Sequence, residues 1–153
     1  MRKILVFLFF ILFSILLFSV KSQNTEMVDT EREDTVFTWT PIIEAISQVE
    51  SSGNPNAVSK DGTCVGLLQI QKIVVDDCNQ YLKIKKSKKR YQYADRYNRE
   101  KSIEMFLLYQ ERYNPTNDVE KGVRIWNGGP NGFKIKSTIQ YYNRVLKKMK
   151  TRD

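Results

Sequence analysis

The 153-residue chain contains no histidine. Without an imidazole there is no Ser-His-Asp or Cys-His nucleophile pair, no HExxH zinc helix and no carboxylate-histidine-metal triad. Acid-base chemistry has to run on Asp, Glu, Lys or Tyr. Cysteine is almost as scarce: Cys64 and Cys78 are the only two, too few for a four-cysteine zinc site or an unaided iron-sulfur cluster. The seven glycines form neither a GxGxxG turn nor a P-loop. No metal site and no cofactor is expected.

What the chain does have is positive charge and one long apolar run. It carries 25 Lys and Arg against 17 Asp and Glu, a net charge of +8. Arg2 and Lys3 precede an apolar stretch from Ile4 to Val20, broken only by Ser14 and Ser19 and followed by Val20-Lys21-Ser22. This pattern predicts a secretory signal peptide over residues 1–22. The stretch also reaches the lower limit of a membrane span, so retention as an anchor is the alternative. Either way the protein is expected to be exported, to the periplasm or cell envelope. Cleavage after Ser22 would remove three of the basic residues and no acid, leaving a net charge of +5. In an oxidising compartment Cys64 and Cys78 are expected to pair as a disulfide, worth about 3 kcal/mol by loop entropy. Two buried thiols are the other reading.

Residues 23–39 are polar and acidic, with Glu26, Asp29, Glu31, Glu33 and Asp34 against Arg32, and are read as a flexible tether. The folded domain is expected over 40–150. Pro41 suits a first helical turn, and Ile42, Ile43, Ile46 and Val49 recur at helical spacing until Ser51-Ser52-Gly53. Between Gly62 and Ile70 the chain is apolar and punctuated by glycine, which suggests a short strand or hairpin. Val74, Cys78 and Leu82 mark the inner face of a second helix. Further helices are expected over 102–113 and 118–126, the latter stopped by Asn127-Gly128-Gly129-Pro130. A last helix should open with the capping box Ser137-x-x-Gln140 and turn Ile139, Tyr142, Leu146 and Met149 inward. The fold class is thus mainly α, in a single domain of about 110 residues.

All seven glycines fall in two windows, Gly53 to Gly66 and Gly122 to Gly132. Glu50 sits on the last turn of a buried helix beside the first window. Packed against Ile46 and Val49 its ionised form would be disfavoured, which raises its pKa and suits it to be a general acid. Glycosidic cleavage needs such an acid and normally a second carboxylate. Asp61, Asp76 and Asp77 are candidates, with no context that places any of them opposite Glu50.

Four ordered segments narrow the reading: Glu50-Ser51-Ser52-Gly53-Asn54-Pro55-Asn56-Ala57-Val58-Ser59; Gly62 with Gly66-Leu67-Leu68-Gln69-Ile70; Trp126-Asn127-Gly128-Gly129-Pro130; and Thr138-x-x-Tyr141-Tyr142-x-x-Val145-Leu146. Together they resemble the soluble lytic transglycosylase family, relatives of goose-type lysozyme in the lysozyme-like superfamily. The resemblance implies a lysozyme-like α+β domain with a small β-hairpin next to the catalytic helix. It implies that Glu50 is the single catalytic acid and that Ser51 beside it helps to orient substrate. Gly66, Gln69 and Ile70 match a substrate-contacting strand, with Leu68 where the family has Met. Trp126-Asn127 falls on a Tyr-Asn pair, so a stacking surface is kept and a phenol lost. Tyr141 matches a tyrosine near the acid. Ser137 stands where many members carry Glu.

The resemblance further implies peptidoglycan glycan strands as substrate. Glu50 would protonate the oxygen linking N-acetylmuramic acid to N-acetylglucosamine, then act as base on the muramoyl 6-hydroxyl, leaving a 1,6-anhydro end. A hydrolytic muramidase on the same fold, or a non-catalytic wall-binding module of a secretion apparatus, are the competing readings. The setting, whether wall turnover, a secretion or conjugation channel or a phage apparatus, stays open, and the protein is expected to act as a monomer. Lys83 to Lys101 holds nine basic residues and two acidic ones. Export argues against nucleic acid as a partner, and a solvated basic face drawn to the anionic wall is expected instead.

Overall fold

A computed structural model describes residues 37–151; the expected signal peptide and most of the acidic tether lie outside them. The elements in order are α1 (Thr40–Ser51), α2 (Lys72–Ile84), a 3-10 turn at Tyr93–Tyr97, α3 (Arg99–Tyr113), α4 (Val119–Gly128), a 3-10 turn at Gly132–Lys134, and α5 (Thr138–Lys150). The domain is mainly helical, as its apolar periodicity requires.

Helix α1 starts at Thr40 with Pro41 in its first turn and stops at Ser52, whose left-handed backbone (φ 54°) ends the ladder. It buries Ile42, Ile43, Ala45 and Ile46. Burying a side chain of this size contributes about 1.5–3 kcal/mol. Helix α3 begins three residues before the expected Ser102 because the Asn98 side chain accepts from the Lys101 N–H at 2.8 Å and caps it. Asp118 does the same for α4 through the Lys121 N–H at 2.7 Å. The core gathers Ile46 from α1, Leu67 and Leu68 from the loop, Val75 and Leu82 from α2, Met105 and Phe106 from α3, Val123 from α4 and Val145 from α5. Trp39, placed by sequence in the tether, is also core: it is buried, its indole N–H donates to Asn117 Oδ1, and its ring meets Phe106 edge-on.

Three expectations are corrected. The hairpin contracts to two isolated antiparallel bridges, Val58 with Val65 and Val65 with Ile70. Gly62, Gly66 and Gln69 all adopt positive φ, so no run is extended long enough for a ladder. The expected capping box on α5 is not formed by Ser137. Instead the Thr138 hydroxyl lies 2.7 Å from the Ile135 carbonyl and 2.9 Å from that of Gly132, and accepts from Arg124 Nε. That buried network turns Thr138, Tyr141 and Val145 inward, while Ile139 is exposed and Tyr142, Leu146 and Met149 only flank the core. The disulfide is not present: Cys64 and Cys78 are free thiols. Cys78 is buried on α2 with its S–H directed at the Met105 carbonyl, and burial pushes its pKa up to about 12. Cys64 is partly exposed, beside Thr63 and Gln71.

Candidate active site

The end of α1, the loop after it, α2 and the end of α4 enclose a groove of about 470 Å³. Among its lining residues are Glu50, Gln69, Ile70, Trp126 and Asn127, five of the residues expected from sequence. Tyr141, Ser51 and Gly66 do not line it.

Glu50 reaches the groove because α1 runs to Ser51 before the left-handed Ser52 turns the chain away. The buried Tyr141 of α5 donates its hydroxyl to Glu50 Oε1 at 2.6 Å. Removal from water raises the Glu50 pKa above the ordinary glutamate value; the Tyr141 hydrogen bond and the positive charge of Arg144 oppose that rise without cancelling it. Burial, together with the adjacent Glu50 charge, pushes the Tyr141 phenol well above its usual range, so it stays a donor. The arrangement lets the carboxyl keep its proton to higher pH than an ordinary glutamate and release it into the groove.

The loop that forms the floor is held by backbone geometry. Gly66 has φ 81°, and a Cβ there would lie 1.8 Å from the Arg96 carbonyl oxygen, so no other residue fits. Arg96 is buried in the 3-10 turn and donates from Nη1 to the Ile70 carbonyl at 3.0 Å and from Nε to the Tyr93 carbonyl at 2.8 Å. Ser51 does not present its hydroxyl to the groove as a free group: it lies 2.8 Å from the Leu67 carbonyl and 3.2 Å from that of Ser47, which ties the acid's helix to the floor. Gln69 adopts φ 49° and its amide nitrogen donates to the Gly66 carbonyl at 3.0 Å. That bond fixes which way the Gln69 amide is turned.

The aromatic wall is built by Trp126, which is half-buried and packs edge-on against Phe106 (centroids 4.9 Å apart) and Tyr109 (5.7 Å). The same groove holds a group the sequence offered without a context. Asp77 lines the groove, with Oδ1 accepting from Arg112 Nη1 at 3.0 Å and from the Tyr113 hydroxyl at 2.7 Å. Its Oδ2 is buried and makes no hydrogen bond. Burial and the Asp77 bond push the Tyr113 phenol up to about 12, and burial with the Asp77 charge raises Tyr109 further. Arg112, Tyr113 and Tyr109 come from α3, and no spacing signal in the sequence connects them to Asp77. The other two acids stand apart: Asp61 is exposed and bonded to Ser59 and Thr63, and Asp76 accepts from the Tyr93 hydroxyl.

The segment rich in Lys and Arg is less cationic in space than in sequence. Lys85 pairs with Glu111, Lys89 with Glu104 at 2.7 Å and Lys101 with Asp95 at 2.6 Å, while Arg96 is buried. Lys83, Lys86, Lys88 and Arg90 remain exposed.

A mainly helical domain that leads a desolvated carboxyl and an aromatic wall into a groove is an arrangement suited to cleavage of a sugar polymer. The chain belongs to the transglycosylase SLT domain family, whose profile matches residues 30–148, more than half of its length. At the family level this is a transglycosylase-type enzyme acting on peptidoglycan. Comparison with curated proteins gave no match.

Proposed function

We propose that the protein is a peptidoglycan lytic transglycosylase with Glu50 as its single catalytic group. The observation that carries this reading is the hydrogen bond from a neutral phenol, Tyr141, to a carboxyl that burial keeps protonated above the ordinary glutamate range. Tyr141 occupies Oε1, so Oε2 is the oxygen that gives its proton to the glycosidic oxygen between N-acetylmuramic acid and N-acetylglucosamine. Negative charge then develops on Glu50, where the Tyr141 donor and the Arg144 charge favour it. The same carboxylate takes the proton from the muramoyl 6-hydroxyl as that oxygen attacks the ring carbon, closing a 1,6-anhydro ring and restoring the acid. The substrate's acetamido group stabilises the cationic centre between the two steps. Trp126 offers a ring face along the groove, Gln69 and Asn127 offer amides, and Ile70 an apolar edge. The protein works after export, at the cell envelope.

A hydrolytic reading is favoured by one feature, the presence of Asp77 in the same groove. Its Oδ1 is already bonded to Arg112 and Tyr113, which suits a structural carboxylate better than one that activates water. Mass spectrometry of muropeptides released from purified sacculi separates the two. Anhydro ends are expected, and reducible ends would replace the transglycosylase reading with hydrolysis.

A further inference from the structure

Tyr141 is gripped from both sides. Its hydroxyl meets Glu50 at 2.6 Å, and the guanidinium of Arg144, three residues further along α5, lies over its ring 5.6 Å from the centroid. Residues three apart on a helix share a face, so this stack follows from the helix itself. The Tyr141 ring is buried, whereas Arg144 is exposed and makes no salt bridge among the described residues. A planar cation with no salt bridge among the described residues, laid on the ring that holds the acid, is poised to act through that ring.

We propose that Arg144 is a positioning residue for Glu50: it clamps the Tyr141 ring from the solvent side, and its charge reaches the carboxyl from outside the groove. The inference rests on Glu50 being the acid of the proposed reaction. The same direction follows from electrostatics, since the Arg144 charge opposes the rise that burial imposes on Glu50 and also favours ionisation of Tyr141. Other groups facing the groove do not duplicate it. Asp77 of α2 is tied to Arg112 and Tyr113, Tyr109 of α3 is neutral, α4 contributes the uncharged Trp126 and Asn127, and the loop contributes the Cys64 thiol. Arg144 is thus the cation that adjusts how far the acid keeps its proton as pH rises.

The sign is fixed. A nearby cation favours the ionised carboxylate, so removing it must leave Glu50 protonated to higher pH. The test follows the Glu50 side-chain carboxyl by carbon-13 NMR across pH in wild type, Arg144→Lys, Arg144→Gln and Arg144→Glu, alongside the pH profile of kcat on soluble glycan fragments. The Glu50 midpoint and the alkaline limb of kcat should both move up, most in Arg144→Glu, less in Arg144→Gln and least in Arg144→Lys. Raising salt to about 1 M, where the Debye length is near 3 Å, should move wild type toward Arg144→Gln and leave Arg144→Gln nearly still. A Glu50 midpoint that is the same in wild type, Arg144→Gln and Arg144→Glu overturns the proposal, as does a lowered kcat with an unmoved profile. If a variant does not fold, Arg144→Lys and the salt series on wild type still decide. The NMR titration is independent of turnover, so an active Glu50→Gln enzyme would sink the functional reading separately.

Discussion

The two walls of the groove each carry a carboxylate, and they hold it in opposite ways. On the α1 and α5 side Glu50 receives one hydrogen bond, from a buried neutral phenol, and its cation stands off behind that ring. On the α2 and α3 side Asp77 receives two, one of them directly from an arginine. A neutral donor and an apolar setting leave Glu50 with a raised pKa, whereas Asp77 is tied in place by a charge-assisted bond to Arg112.

The largest effect that would break this contrast is on turnover. Glu50→Gln should lower the rate of sacculus solubilisation by about 10²–10⁴-fold, the usual contribution of a general acid, in protein whose circular dichroism matches wild type. Asp77→Asn should not do so. Its cost should appear as stability, about 1–3 kcal/mol by denaturant titration, because a partly buried charge-assisted bond to Arg112 is weakened. An Asp77→Asn enzyme as inactive as Glu50→Gln would make the walls catalytic equals.

The same contrast predicts a gain. Glu50 has a raised pKa in the folded protein, so the native state binds its proton more tightly than the unfolded chain does. Between the ordinary glutamate value and that raised value stability falls as pH rises, and above both the full penalty applies. Glu50→Gln should therefore melt at a higher temperature than wild type at neutral pH, with the difference closing as pH falls into the ordinary glutamate range. A Glu50→Gln protein that melts below wild type at neutral pH would contradict a desolvated acid. The smallest effect belongs to residues on neither wall. Charge reversal of Lys86 and Lys88 should slow cleavage of intact sacculi a few-fold at low salt and leave soluble fragments unaffected, a steering effect that salt removes.

How much of this was legible in the sequence depended on whether the signal was local. Pro41 and Ser51-Ser52-Gly53 bracket α1 and so place Glu50 at its end, and Asp118 and Gly129 bracket α4. The apolar pattern of α5 was readable, but its inner stripe was not. Thr138 is buried by a hydrogen bond with Arg124, which lies 14 residues earlier, and that bond rotates the helix toward Tyr141 and Val145. The 3-10 turn at Tyr93–Tyr97 was hidden inside a run of lysines and arginines, because a buried Arg96 reads in sequence like an exposed one. Asp77 was visible as an acid, while its partners Arg112 and Tyr113 come together with it only once α2 and α3 pack. The disulfide expectation failed for a related reason: Cys78 lies on the inner face of α2, against Met105, whereas Cys64 lines the groove.

The contact of Gly66 with the Arg96 carbonyl has a consequence for recombining this domain with its relatives. The floor loop and the Tyr93–Tyr97 turn are some 30 residues apart in sequence but share one backbone contact and two hydrogen bonds from Arg96, to the Ile70 and Thr63 carbonyls. A chimera that imports the loop alone would meet a foreign turn at a separation with no tolerance for a side chain. The two segments form one exchangeable cassette and have to be moved together.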